Sequence, residues 1–200
     1  MTTILQLNSS IYGEDGQSSR LADEFVSQWR DREPTLRLIR RDLAKSEIPH
    51  LSAQTFQAAL TPKGDRSAAQ AAQARLADEL VDELLGADVL VLGLPMYNFG
   101  VPSVLKAWFD HVARAGTTFS YTENGPVGHL DGRKAYVFAT RGGQYAGTSS
   151  DHQVPFVSQF LSFLGIEDIE FVYAEGLAIS EETREAALRR AGIETTRLAA

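Results

Sequence analysis

Val89-Leu90-Val91-Leu92-Gly93-Leu94-Pro95-Met96-Tyr97-Asn98-Phe99-Gly100 decides how the rest of the chain is read. Its first half is an unbroken apolar run, the pattern of a strand covered on both faces of a sheet. The run then opens into a loop holding an asparagine, two aromatics and a glycine, closed by Val101-Pro102. A helical pattern follows at once, with Val104, Leu105, Trp108, Phe109 and Val112 at spacings of one helix face. Strand, polar-aromatic loop and helix in that order form a ligand site at the carboxyl end of a parallel sheet.

Upstream, Thr3 to Leu7 predicts a short strand running into Asn8-Ser9-Ser10 and a loop rich in glycine and hydroxyls, Tyr12 to Ser19. Leu21, Phe25 and Trp29, flanked by Ala22 and Val26, mark an amphipathic helix of about three turns that Glu33-Pro34 ends. Thr35 to Ile39 reads as a second strand near a sheet edge. Residues 44–66 are the least legible; Leu51, Phe56 and Leu60 hint at a short helix there. Ser67 to Gly86 predicts an alanine-rich helix capped by its glycine, and Asp88 to Leu92 is the strand of the opening stretch. Downstream, 116–134 reads as a long connection, of a length that points to function rather than filler. Ala135 to Thr140 is a fourth strand, followed by Arg141-Gly142-Gly143. A helix opens at Pro155 with Phe156, Phe160, Phe163 and Leu164, and Ile166 to Ala174 is a fifth strand. Ser180-Glu181-Glu182 starts a last helix that is basic at Arg189 and Arg190, as the helix dipole favours. Five strands alternating with helices predict a single α/β domain over residues 1–200. Its expected form is a doubly wound, flavodoxin-like parallel sheet in the order 2-1-3-4-5, with helices on both faces.

The formal charge of −7 disfavours a nucleic-acid partner, which needs a clustered basic surface. Arg37, Arg40, Arg41 and Lys45, with Asp42 among them, read as a solvated strand edge. Without cysteine there are no disulfides, thiolate metal sites or cysteine nucleophiles. His50, His111, His129 and His152 share no ligand spacing, so they read as surface or partly satisfied side chains and no metal is expected. G-x-G-x-x-G, the Walker lysine motif and G-x-S-x-G are all absent. No apolar run approaches the ~20 residues of a membrane span, and the start lacks the charged and apolar regions of a signal peptide. The expectation is a cytoplasmic protein with neither membrane nor nucleic acid as partner.

The expected strand order sets three loops side by side. The first offers Ser10 and Gly16-Gln17-Ser18-Ser19 at a helix start, where unpaired backbone N–H groups, a partial positive charge and hydroxyls suit a phosphate without any lysine. Plain capping of that helix by Ser18 is the competing reading. The second brings Met96-Tyr97-Asn98-Phe99-Gly100, flat side chains and amides that could instead form a turn whose aromatics join the core. The third has paired glycines, Gly142-Gly143, which let backbone N–H groups approach a ligand closely; Arg141 by itself would be an ordinary surface charge. A planar ring held by amides and a phosphate held by hydroxyls describe flavin mononucleotide (FMN) better than a dinucleotide.

Several segments resemble the FMN-dependent NADH:quinone oxidoreductase and azoreductase family. They are Pro95 to Gly100, Leu105-Lys106-Ala107-Trp108-Phe109-Asp110, Ala113-Arg114-Ala115-Gly116, Phe119 to Pro126 and Arg141-Gly142-Gly143. The resemblance implies a homodimer with tightly bound, non-covalent FMN near its interface. NADH or NADPH would be the co-substrate, and quinones and azo compounds the acceptors in a ping-pong exchange. By position, Ser10, Gly16, Gln17 and Ser18 would hold the phosphate. Met96, Tyr97, Asn98 and Phe99 would line the isoalloxazine and ribityl chain, and Thr140, Arg141, Gly142 and Gly143 would cradle the pyrimidine end. Tyr121 and Phe163 would face substrate, with core packing as the competing reading. No catalytic acid or base is expected, because flavin N5 carries the chemistry. The chain departs from the resemblance at Gly16 and Thr140, where relatives often carry serine, which implies somewhat weaker phosphate affinity. Two alternatives remain at this stage: a flavodoxin-type electron carrier, and a reductase that releases its flavin to a partner.

Overall fold

The computed structural model describes residues 1–200. The chain runs through β1 (Thr3–Asn8), α1 (Gln17–Arg32), β2 (Arg37–Asp42), α2 (Ala53–Leu60), α3 (Ala68–Leu85), β3 (Val89–Pro95) and α4 (Ser103–Val112). There follow β4 (Phe119–Thr122), β5 (Gly125–Gly128), β6 (Lys134–Thr140), α5 (Gln153–Phe163), β7 (Asp168–Ala174) and α6 (Glu181–Leu198). Five strands form one parallel sheet in the order β2-β1-β3-β6-β7, the expected doubly wound, flavodoxin-like arrangement.

All seven residues of β3 are buried, since β1 and β6 flank it and helices cover both faces. Alternate side chains along each strand feed two cores. Leu5, Leu7, Leu90 and Leu92 pack with Leu80, Trp108, Phe109 and Leu161 beneath α3, α4 and α5. Ile4, Val91 and Phe138 pack with Phe25, Val26 and Ala191 beneath α1 and α6. The short helix hinted at in the obscure stretch is α2, whose start is capped by Ser52 accepting the Thr55 N–H at 3.1 Å. No helix is long and apolar enough to cross a membrane.

Three readings change. The connection 116–134 contains an antiparallel hairpin, β4–β5. Its strands have four residues each, too short for alternation to show. The expected solvated edge is stitched down instead: Arg40 pairs with Asp23 of α1, Arg41 with Glu79 and Glu83 of α3, and Lys45 with Glu14. Edge strand β2 thereby binds its covering helices on both faces through charge. Gly86 does end α3, but at φ −81° it stays right-handed.

Candidate functional site

β1, β3 and β6 are neighbours in parallel register, so the loops leaving their carboxyl ends line up. In the first loop Gly16 stands at the N-cap of α1 in extended backbone, and no side chain caps the helix. Ser18 therefore does not play the capping part. Its hydroxyl and that of Ser19 are buried without a partner, as is Asn8 Nδ2. Buried hydroxyls left unpaired at an uncapped helix start are an unmet hydrogen-bonding demand. Close packing builds this corner. A Cβ at Gly93 would lie 3.2 Å from Ser18 O and from Asn8 Oδ1, and one at Gly16 would lie 2.2 Å from Ser10 Oγ. Position 16 lacks a side chain here because Ser10 fills the space.

Tyr97 ties the first loop to the second. Its hydroxyl accepts the Ile11 N–H at 3.1 Å and lies 3.4 Å from Ser10 Oγ, which itself accepts the Tyr12 N–H. Tyr97 and Gly100 exchange both backbone hydrogen bonds, at 3.2 and 3.0 Å, around Asn98 at φ 50° and Phe99 at φ 65°. This is a two-residue turn with both central residues left-handed, the geometry that ordinarily selects Asn-Gly. A phenylalanine there stores strain of about 1–3 kcal/mol, of the kind that clusters at functional sites. The aromatics are not core: Phe99 is 54% exposed and meets Tyr145 of the third loop edge-on at 5.6 Å. Met96 is half-buried, and its N–H donates to Thr140 O at 2.9 Å.

In the third loop Arg141 is not a surface charge. Its fully buried guanidinium pairs with Asp151 at 2.9 and 3.1 Å and with Glu175 at 3.0 Å, beside the ring of Tyr173. Burial pushes the Tyr173 hydroxyl above the usual tyrosine range, against the opposing pull of Arg141. The Arg141 N–H is also occupied, by Ala174 O. The next two residues differ. Gly142 O and Gly143 O accept from Ala178 and Gly176, while the N–H groups of both glycines donate to no acceptor in the chain. A Cβ on Gly143 would lie 2.7 Å from the Tyr145 hydroxyl. Glycine keeps this segment narrow and its amides free.

Ser10, Gly16, Gln17, Ser18, Met96 to Phe99 and Thr140 to Gly143 thus share one edge of the sheet. Tyr121 and Phe163 do not. α5 starts at that edge, with Gln153 bonded to Pro95 O, and runs against the strands for about 16 Å. At its far end Leu164 and Gly165 meet Gly128 of the hairpin. There Phe119 packs against Phe163 at 4.4 Å and Tyr121 at 5.3 Å. Tyr121 nevertheless remains 75% exposed.

Sequence reasoning missed Asp151, Gln153 and Glu175, which hold the loops from behind. Asp151, two residues before α5, carries a readable helix-start signal; Gln153 and Glu175 carry none. The shelf itself is open. A cavity of about 650 Å³ lies elsewhere, among charged residues of β2 and α3 that include Arg37, Arg75, Asp78 and Glu83.

A family profile described as "Flavodoxin-like fold" matches residues 2–197. An FMN-dependent NADH:quinone oxidoreductase from Cellvibrio japonicus (strain Ueda107) is 49% identical over 182 residues, 91% of this chain and 92% of that one. Among solved structures, an azoreductase from Bacillus anthracis str. Sterne superposes with a TM-score of 0.90 at 28% identity, covering 100% of this chain and 99% of its own. An FMN-dependent NADH-azoreductase from Bacillus anthracis str. Ames Ancestor, in complex with FMN, gives 0.87 at 25% identity, with 100% of each chain covered.

Proposed function

This chain belongs to the flavodoxin-like family and, within it, to the FMN-dependent NADH:quinone oxidoreductases; from that premise we propose that it passes two electrons from NADH or NADPH through FMN to quinones and, as further acceptors, azo compounds. The residues present fit the cofactor at both ends. The uncapped start of α1 and the unpartnered Ser18 hydroxyl suit a phosphate, and the free Gly142 and Gly143 amides suit the carbonyls of a pyrimidine ring. Those two unused donor sets, on either side of a strained aromatic turn, are the observation that carries the reading.

When bound, FMN supplies the two-electron exchange at N5, taking electrons from the nicotinamide and giving them to the acceptor in turn. The chain's own residues bind and orient. Ser10, Gly16, Gln17 and Ser18 hold the phosphate, and Tyr97 ties that loop to the ring wall. Met96 to Phe99 would form the wall beside the ring, and nucleotide and acceptor would take turns at its uncovered side. Gly142 and Gly143 offer preorganised donors where negative charge gathers at the pyrimidine end. The Arg141 guanidinium, fully buried against Asp151 and Glu175, would shape the loop rather than touch the ligand. No side chain needs to act as acid, since the protons can come from water.

The open shelf also favours a homodimer, in which a second copy covers the ring and brings Tyr121 and Phe163 to it. The test loads the protein with FMN and adds NADH or NADPH without oxygen. Bleaching of the yellow colour, restored by a quinone, is the expected result. Colour that persists with both nucleotides overturns the reading.

A further inference from the structure

The first turn of α5 is buried behind the shelf, yet it touches both loops that would hold the ring. Gln153, fully buried, donates from Nε2 to Pro95 O at 2.9 Å and to Gly100 O at 3.2 Å. Those carbonyls bracket the strained Asn98-Phe99 turn. Two residues earlier, Asp151 Oδ1 accepts the N–H groups of Gln153 at 3.2 Å and Val154 at 3.1 Å, which fixes the start of the helix. The same carboxylate grips Arg141, and Arg141 reaches Glu175 Oε1. That oxygen also accepts the N–H groups of Tyr145 and Ala146, at 2.9 Å each. The chain of contacts therefore runs from Gly100 through Gln153, Asp151, Arg141 and Glu175 to Ala146.

Apolar packing of equal volume would hold a fold at least as well as this buried ion cluster. What the cluster adds is fixed geometry at two separate loops from one helix turn. We propose that Asp151 and Gln153 are positioning residues that set the Pro95–Gly100 turn and the Arg141–Ala146 loop in joint register around the isoalloxazine ring. This rests on the flavin reading above. Neither residue touches the ligand; both act through the backbone that does.

Gln153→Met keeps length and volume but removes the donor, and Asp151→Asn weakens the grip on Arg141. Fluorescence titration measures FMN and lumiflavin, a ring without ribityl phosphate; amide hydrogen exchange of the flavin-free protein reports each loop. Both variants are expected to weaken FMN and lumiflavin by the same factor, about tenfold, the worth of one hydrogen bond. They should also change the visible circular dichroism of bound FMN. Ser10→Ala, at the phosphate end, should weaken FMN alone. The distinguishing result is cross-talk: Gln153→Met, which touches only the first turn, should speed exchange at Tyr145 and Ala146 as well. Exchange confined to the turn at 95–100, unchanged exchange, or a loss of FMN without loss of lumiflavin overturns the proposal. If Asp151→Asn does not fold, Gln153→Met alone decides. Should the unsubstituted protein bind neither flavin, the functional reading fails and this proposal with it; should it bind both while Gln153→Met shows no cross-talk, this proposal alone fails.

Discussion

Phe99 pays in conformation for where its ring stands: a left-handed backbone at φ 65° under a side chain that is half exposed. Burial does not account for the arrangement, because about half of the residue stays exposed. Glycine at this position would relieve the strain while loosening the unfolded chain, and the two effects nearly offset. Phe99→Gly should therefore leave the thermal stability of the flavin-free protein within about 1 kcal/mol of the unsubstituted chain, or raise it. It should weaken FMN binding about tenfold, as expected for removing one aromatic wall. Calorimetry paired with fluorescence titration checks both; a clear loss of stability with full FMN affinity would mean the ring serves the fold. The peculiarity of Asn98-Phe99 between two prolines is legible from residue types alone. The positive φ of a phenylalanine is not, since no local propensity asks for it. Gln153 is similarly silent in sequence, its meaning residing in two carbonyls 53 and 58 positions away.

Among the elements, long periodic ones are the legible ones. β3 and α3 carry their burial in unbroken patterns, whereas the β4–β5 hairpin has strands too short to show any. The joints between elements are less visible still. Asp78 on α3 receives Arg66, which also bonds the carbonyls of Thr61 and Ala59 at the end of α2, and Arg114 beyond the end of α4. Burial pushes the Asp78 carboxyl up, but the hydrogen bonds and charges of the two guanidinium groups outweigh it and hold the pKa below the usual aspartate value. A depressed folded pKa contributes stability that is present above the unfolded value of about 4 and is lost as pH falls through the folded one. Asp78→Asn should cost about 2–4 kcal/mol in urea unfolding at neutral pH, as for removing one partner of a largely buried pair. The difference from the unsubstituted protein should shrink as the pH is lowered toward about 3. A constant difference across that range would exclude the ionic origin.

At the scale of the molecule, the two aromatics expected to face substrate stand at the wrong end of their own chain. The topology requires this. In a parallel sheet every covering helix runs back from the carboxyl edge to the amino edge, so a residue at the end of α5 cannot share an edge with the loops after β1, β3 and β6. That consequence was already contained in the strand order, but residue-by-residue reasoning did not draw it. Tyr121 and Phe163 can meet a bound ring only if a second copy brings its amino edge to the shelf. An isologous two-fold pairing does so at both sites at once. Sedimentation should then give twice the 21.9 kDa chain mass. The sharper test mixes two inactive variants, one lacking the wall through Asn98→Ala and Phe99→Ala, the other lacking Tyr121 and Phe163. If the aromatics act across the interface, dissociating and re-pairing the mixture at random restores about one quarter of the sites, since one site of each mixed dimer is intact. Action within one chain restores none, because every chain in the mixture then carries one damaged half of its own site. Recovered NADH-dependent quinone reduction thus assigns Tyr121 and Phe163 to the neighbouring copy's shelf, and its absence returns them to the packing of the hairpin on α5.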